Sequence, residues 1–322
     1  MGGLKNPPTT KKGQEGDTKN MITGKILVTG GAGTIGNAII ERAKRDSWDC
    51  DFTIYSRSES RQAEMRRAHP RLNYVIGDVR DSERLTAVTA GHDVIIHAAA
   101  MKRIPECETN PIECIKTNVM GSWNVVKAAV KNNVKRVIGL STDKACQSVT
   151  HYGVSKLMME RIFQAQPVNH TIFTLVRYGN VIESTGSVIP LWREQAAKNG
   201  RITLTDKRMT RFWITPDDAV DWIVSAYDLL PSTVYIPKMK ALSLVDMAGI
   251  VAPGAEIQEI GLRSMERLHE YLVSPDETAT EYDDHYLINE MGTMGHVYRS
   301  NTAVQYTSHE FRLLLAKVGL NA

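Results

Sequence analysis

Apolar residues along the chain gather into short runs separated by stretches of helical spacing. The first run, Lys25-Ile-Leu-Val-Thr29, leads at once into Gly30-Gly31-Ala32-Gly33-Thr34-Ile35-Gly36 and a helical pattern over Asn37–Arg45. Further runs at Asp51–Tyr55, Leu72–Gly77, Asp93–His97, Val137–Leu140 and Thr171–Tyr178 predict strands. Helical patterns fall at Ser82–Val88, from Pro111 to Asn132 and around Tyr152–Lys156. Past Tyr178 the rhythm becomes irregular, and only a closing amphipathic helix, Ser308–Val318, stands out.

Strand, glycine turn, helix is the context in which such a turn acquires meaning. Glycines permit a tight reversal and let main chain approach a pyrophosphate, which then sits where free N–H groups and the helix dipole favour anions. Gly30, Gly33, Thr34, Ile35 and Gly36 are therefore expected to hold a dinucleotide. The second strand ends in Ser56-Arg57-Ser58, where NAD-binding chains usually place a carboxylate for the ribose 2′-hydroxyl. A guanidinium can clasp a 2′-phosphate that a carboxylate would repel, so NADP is expected over NAD. Arg61 follows nearby, while Arg66 and Arg67 read as the solvated face of a helix. Asp78 can meet the adenine, and Ala98-Ala99-Ala100 leave room for close backbone approach. The expected class is α/β: a Rossmann-type doubly wound parallel sheet with a smaller C-terminal substrate-binding domain. The boundaries are a disordered tail over 1–24, a nucleotide domain over 25–180 rejoined by 213–240, and a substrate domain from 181–212 and 241–322.

Composition narrows the classes. The 322 residues are 42% apolar and 23% charged with net charge +3, which demands neither nucleic acid nor an anionic membrane. No run approaches the roughly 18 apolar residues of a membrane span. Cys50, Cys107, Cys114 and Cys146 form no CxxC pair, and the nine histidines show no ligand spacing, so neither metal nor disulfide framework is expected. Free thiols suit a cytoplasmic protein.

Tyr152 and Lys156, four residues apart, share one helix face. An ammonium there favours the phenolate and is expected to lower the Tyr152 pKa toward neutrality. Ser141-Thr142, ending a strand, bring hydroxyls to the same point. Asp143-Lys144 follow directly, either as an acid/base pair or as an ion pair capping the strand. Asn118 can bond main chain and water, or sit in the core and bend its helix.

The glycine turn, His97-Ala-Ala-Ala100, Asn118, Ser141-Thr142 and Tyr152-x-x-x-Lys156 together resemble the extended short-chain dehydrogenase/reductases acting on nucleotide sugars. Tyr55-Ser-Arg57, Gly77-Asp-Val-Arg-Asp81, Pro111–Asn118, Ser141-Thr-Asp-Lys-Ala145, Val176-Arg-Tyr-Gly-Asn-Val181 and Arg208-Met-Thr-Arg-Phe-Trp213 are similar to the inverting UDP-N-acetylglucosamine 4,6-dehydratases, soluble enzymes that open the pseudaminic acid route. The resemblance runs from about Lys25 to Glu277. It implies a catalytic set of Thr142, Asp143, Lys144, Tyr152 and Lys156, and adds Val79, Lys102, Asn118 and Ser141 to the cofactor contacts. For the UDP-sugar it implies Asn180, Ser187, Val188, Pro190, Thr205, Met209, Arg211, Arg263 and Glu266, with Arg211 and Arg263 suited to clamp a diphosphate. The implied chemistry is C4 oxidation by NADP with Tyr152 as base, removal of the C5 proton by Lys144, loss of the 6-hydroxyl assisted by Asp143, and hydride return to C6. Reprotonation at C5 from the other face gives the inverted product, and homo-oligomers (dimers or hexamers) are implied. A 4-epimerase or reductase, a 5,6-dehydratase and a catalytically idle NADP-sensing scaffold are the rival readings. Glu183-Ser184-Thr185, Ser264-Met265, Arg103 and Cys146–Thr150 depart from the family's Gly-Ser-Arg, Pro-Gly, His and Ala-Asn-Pro-containing segments; they bear on the sugar more than on the reaction.

Overall fold

The computed structural model describes residues 22–168, 170–182, 184, 188–289 and 291–320. The expected tail up to residue 21, and Ser187, lie outside them. The apolar runs become β1 (Gly24–Thr29), β2 (Cys50–Ser56), β3 (Asn73–Ile76), β4 (Val94–His97), β5 (Arg136–Thr142) and β6 (Ile172–Tyr178), paired in parallel in the order β3-β2-β1-β4-β5-β6. β4 and β5 are buried almost end to end, which is why such strands read as continuous apolar runs rather than alternating ones. Packing starts ahead of the expected boundary: Ile22 is fully buried and Gly24 already pairs with Cys50.

Strand Thr233–Pro237 continues the sheet in parallel beyond β6, and His285–Ile288 and Ala279–Glu281 extend it antiparallel. Residues 279–288, expected in the second region, thus belong to the central sheet. The chain builds outward from β1 to β3, then crosses back to β4 on the other side of β1. Loops leaving β1 and β4 diverge there and open a crevice at the strands' carboxyl ends. Helix α1 (Thr34–Arg45) packs against Pro216–Tyr227, with Arg42 bonded to Asp217 and Asp221.

The helix expected over Pro111–Asn132 is broken into Pro111–Cys114, a π-helical stretch Ile115–Met120 and Gly121–Lys131. The wide turn buries Asn118, whose carboxamide accepts from Met101 N at 2.7 Å and donates to Met101 O and Ser155 Oγ at 2.8 Å each. Single wide turns of this kind cluster at functional sites.

A second core gathers Ile182, Trp192, Leu204, Met209, Trp213 and Leu242 with Phe311, Leu314 and Leu315 of the closing helix, which runs Ser308–Lys317 behind a Thr307/Glu310 capping box. Around it stand a sheet of Ala241–Ser243, Thr210–Ile214 and Asn180–Val181, and a pair of Glu256–Glu259 with Arg201–Leu204. Met265, standing where the resembled family carries glycine, keeps a left-handed φ of 65°. That conformation costs a residue with a Cβ about 1 kcal/mol or more.

Candidate active site

The crevice between β1 and β4 is a cavity of about 780 Å³ with a nucleotide end and a chemical end. At the nucleotide end Gly30 has φ 69°, and a Cβ on it would lie 2.7 Å from Ala99 N. A Cβ on Gly36 would run into the Gly31 carbonyl. Gly33 caps α1 without a side chain, so the first N–H groups of that helix have no side-chain cap among the described residues at the cavity wall, and its first turn carries no acid. This cradle fits a dinucleotide pyrophosphate. Thr34, Ile35, Val79, Ala98, Ala99 and Ala100 complete the wall.

Ser56, Arg57, Ser58 and Lys102 line the outer part, joined by Arg61, whose contribution the strand-end motif did not single out. The Lys102 ammonium is pushed down by burial and by Arg61. Asp78 also lines the wall; although burial opposes it, hydrogen bonds from Arg80 hold its carboxyl below the ordinary range. The Arg57 guanidinium stands 3.7 Å from Asp78 and is largely exposed, leaving it able to turn toward a ligand.

At the chemical end β5 runs into a short 3-10 turn, Asp143–Ala145, and helix His151–Gln164 begins behind the Thr150 cap. Thr142, Lys144, Tyr152, Lys156 and Asn180 all line the cavity. Lys144 Nζ donates to Asp143 Oδ1 at 2.8 Å and to Asn180 Oδ1 at 3.3 Å. Thr142 Oγ1 donates to the same Asp143 oxygen at 2.9 Å and also meets the Tyr152 hydroxyl. Asp143 itself is fully buried behind the wall, and its Oδ2 has no partner among the described residues. Burial raises its pKa, as does nearby Glu270, against the pull of Lys144. Lys144 is held protonated: its burial is outweighed by Asp143 and Glu270.

The expectation of a lowered phenol pKa is corrected. Burial, followed by the Asp143 charge, pushes Tyr152 well above its ordinary value. Burial also drops the Lys156 ammonium to about 8, and its Nζ contacts Met159 Sδ at 3.1 Å. The polypeptide alone therefore holds the phenol neutral, because desolvating an anion costs more than a distant ammonium returns.

Two expected cofactor contacts are tied into the scaffold. Asn118 ties the loop after Ala100 to the active-site helix. Ser141 lines the cavity, but its hydroxyl donates to Glu160 Oε1 at 2.5 Å. Glu160 in turn pairs with Arg177, which reaches Glu277 at 2.7 Å, all three essentially buried. A lone arginine inside the apolar run of β6 was the legible sign of a buried acid partner. Tyr178 and Thr117, also on the wall, gave no such sign.

The expected sugar contacts divide. Asn180 reaches the cavity, whereas Val188, Pro190, Thr205, Met209, Arg211, Arg263 and Glu266 stand outside its wall. Thr205 donates to Glu266 at 3.3 Å and touches Met209 Sδ at 3.0 Å, so these three form one cluster. Arg211 is no open clamp in this conformation. Its guanidinium donates to the carbonyls of Thr210, Arg267 and Leu268 and stands 3.6 Å from Glu270. Arg263 is exposed, and its contacts to Glu266 are main-chain: its N–H donates to Glu266 Oε2 at 3.2 Å and its carbonyl accepts from Glu266 N at 3.1 Å.

Residues 26–290 match the model of a family described as polysaccharide biosynthesis protein. The chain belongs to that family. It is 40% identical over 274 residues, 82% of each chain, to the UDP-N-acetylglucosamine 4,6-dehydratase (inverting) of Campylobacter jejuni subsp. jejuni serotype O:2. It is 38% identical over 272 residues, 80% of each, to a UDP-glucose 4-epimerase of Rickettsia bellii. Among solved structures, Pen from Bacillus thuringiensis superposes with a TM-score of 0.83 at 33% identity, covering 91% of this chain and 98% of that one. No helix among the described residues is long and apolar enough to cross a membrane.

Proposed function

We propose that this member of the polysaccharide biosynthesis protein family is a nucleotide-sugar 4,6-dehydratase that oxidises C4 and eliminates water from C5 and C6 of a UDP-N-acetylhexosamine, best matched by UDP-N-acetylglucosamine, with inversion at C5. The observation that carries it is Lys144, on the cavity wall with Tyr152, its Nζ 2.8 Å from an Asp143 fully buried behind that wall. An epimerase needs the tyrosine and its lysine but has no use for a buried acid/base pair at that point. The 40% identity to the inverting dehydratase supports the same choice over the epimerase match.

Tyr152 takes the proton of the sugar 4-hydroxyl while Thr142 hydrogen-bonds the same oxygen. A nicotinamide dinucleotide held by the glycine turn would supply the hydride acceptor for C4 and donor for C6, and its positive ring would favour the phenolate. The C4 ketone acidifies the C5 proton, and Lys144 as free amine removes it. Asp143, as carboxylic acid, protonates the departing 6-hydroxyl once a rearrangement brings it from behind the wall to the cavity. One proton moving from Lys144 to Asp143 along their hydrogen bond creates both reagents at once, and burial favours the resulting neutral pair. The same transfer removes the Asp143 charge that opposes Tyr152 ionisation, so the three groups reach their working forms together.

Gly30, Gly33 and Gly36 with the α1 N-terminus would hold the pyrophosphate. Arg57, Arg61 and Lys102 converge at the end of β2, where NADP carries a 2′-phosphate, and they favour NADP over NAD. Rearrangement of Arg211 and Arg263 would bring cations to the substrate diphosphate. Ile115, Met120 and Trp123 on one helical stretch and Val154 and Met158 on the other are exposed apolar residues, which supports a homo-oligomer. Four free thiols suit a cytoplasmic enzyme. Incubation with UDP-N-acetylglucosamine and no added reductant tests the reading: a 4-keto-6-deoxy sugar nucleotide is expected, and a 4-epimer alone would overturn it.

A further inference from the structure

Glu270 carries none of the motifs that mark the site, yet it reaches the centre of it. It is 6% exposed, and its Oε1 stands 3.8 Å from Lys144 Nζ and 3.6 Å from Arg211 Nε. Its main chain is pinned on both sides by fully buried Ser300: Glu270 N donates to Ser300 Oγ at 3.0 Å, and Ser300 N donates to Glu270 O at 2.9 Å. Arg211 further fixes the approach by donating to the carbonyls of Arg267 and Leu268. Lys144 thus sits between two carboxylates, Asp143 from the end of β5 and Glu270 from a segment more than a hundred residues away.

We propose that Glu270 is a positioning residue whose negative charge sets the pH window in which the Asp143–Lys144 pair holds its one transferable proton. The proposal rests on the dehydratase reading and adds a residue to it. The charged groups facing Glu270 are Lys144 and Asp143 from the turn after β5 and Arg211 from Thr210–Ile214, with His269 beside it in the chain, bonded to Thr210. The pair works with one shared proton; a second proton ends its basicity and loss of the only one ends its acidity. A fixed anion near both groups favours the more protonated form at each step, so it raises both limits of the window. Glu270 does not touch the reacting atoms in this account; it acts through Lys144 and Asp143.

The test compares kcat against pH for the parent, Glu270→Gln and Glu270→Asp, on UDP-N-acetylglucosamine with NADP bound. In Glu270→Gln, which keeps shape and loses charge, both limbs of the profile move to lower pH by roughly one unit. In Glu270→Asp, which keeps charge and loses length, the limbs stay with the parent even if kcat falls. A packing role predicts the reverse, a mild glutamine variant and a damaged aspartate variant with unmoved limbs in both. Lysine side-chain NMR gives a readout without turnover: the Lys144 titration drops in Glu270→Gln, or in Glu270→Ser as a second neutral variant should the first not fold. Coincident limbs and an unmoved Lys144 titration would overturn the proposal while leaving the dehydratase reading intact. An inert parent on every UDP-sugar would instead overturn that reading.

Discussion

Lys144 Nζ donates to Asp143 Oδ1 at 2.8 Å, inside a pocket where the second oxygen of Asp143 has no partner among the described residues. A buried ion pair with one orphaned oxygen is poorly compensated, so the neutral amine/acid form lies closer in free energy than it would in water. Lys144→Met and Asp143→Asn should each lower kcat by about 100-fold or more, the ordinary reach of a lost general base or acid. Both should still bind NADP, as measured by equilibrium titration. In Asp143→Asn, C5 exchange without loss of water is the expected signature.

Lys156 is a buried ammonium with a thioether beside it, and its folded-state value of about 8 lies below the ordinary 10.5. The unfolded chain therefore binds that proton more tightly than the folded one. The resulting cost is fully present below pH 8 and fades as pH rises toward 10.5. Lys156→Met should stabilise the protein by about 2 kcal/mol at pH 7 while abolishing turnover, a gain in urea midpoint that shrinks at alkaline pH.

Arg177 neutralises Glu160 and Glu277 together, so Arg177→Met leaves two buried carboxylates uncompensated. A loss of about 3–5 kcal/mol is expected in urea unfolding at pH 7. The deficit should narrow toward acid pH, where Glu277, held below its ordinary value despite burial by the Arg177 ion pair, would take up a proton.

Arg57 decides the cofactor in this account. Arg57→Asp should weaken NADP binding about 10- to 100-fold, the worth of a charge-assisted hydrogen bond to phosphate, and leave NAD binding equal or better. Equal NADP affinity in the variant would place the 2′-phosphate elsewhere.

The parallel sheet was legible because β1, β2 and β4 to β6 are largely buried and mostly apolar, and because the glycine turn stands between β1 and α1. Tyr152, Lys156, Thr142 and Lys144 were legible for a local reason: spacing along one helix or one strand end places them. What escaped was long-range. Strands 279–288 are short and join the sheet through antiparallel pairing far along the chain, with no periodicity to announce it. Glu270 meets Lys144 across 126 positions through a segment of irregular structure, and the Tyr152 pKa depends on total burial, which spacing does not encode. The π-helical turn at Asn118 needs the Met101 main chain as its partner, again a contact no local pattern carries.

Proton exchange at one sugar carbon decides the account. With UDP-N-acetylglucosamine, bound NADP and D₂O as solvent, NMR should show deuterium entering C5 as the 6-hydroxyl departs, and none entering in Lys144→Met. Turnover that leaves C5 protonated, or exchange undiminished without Lys144, would contradict it.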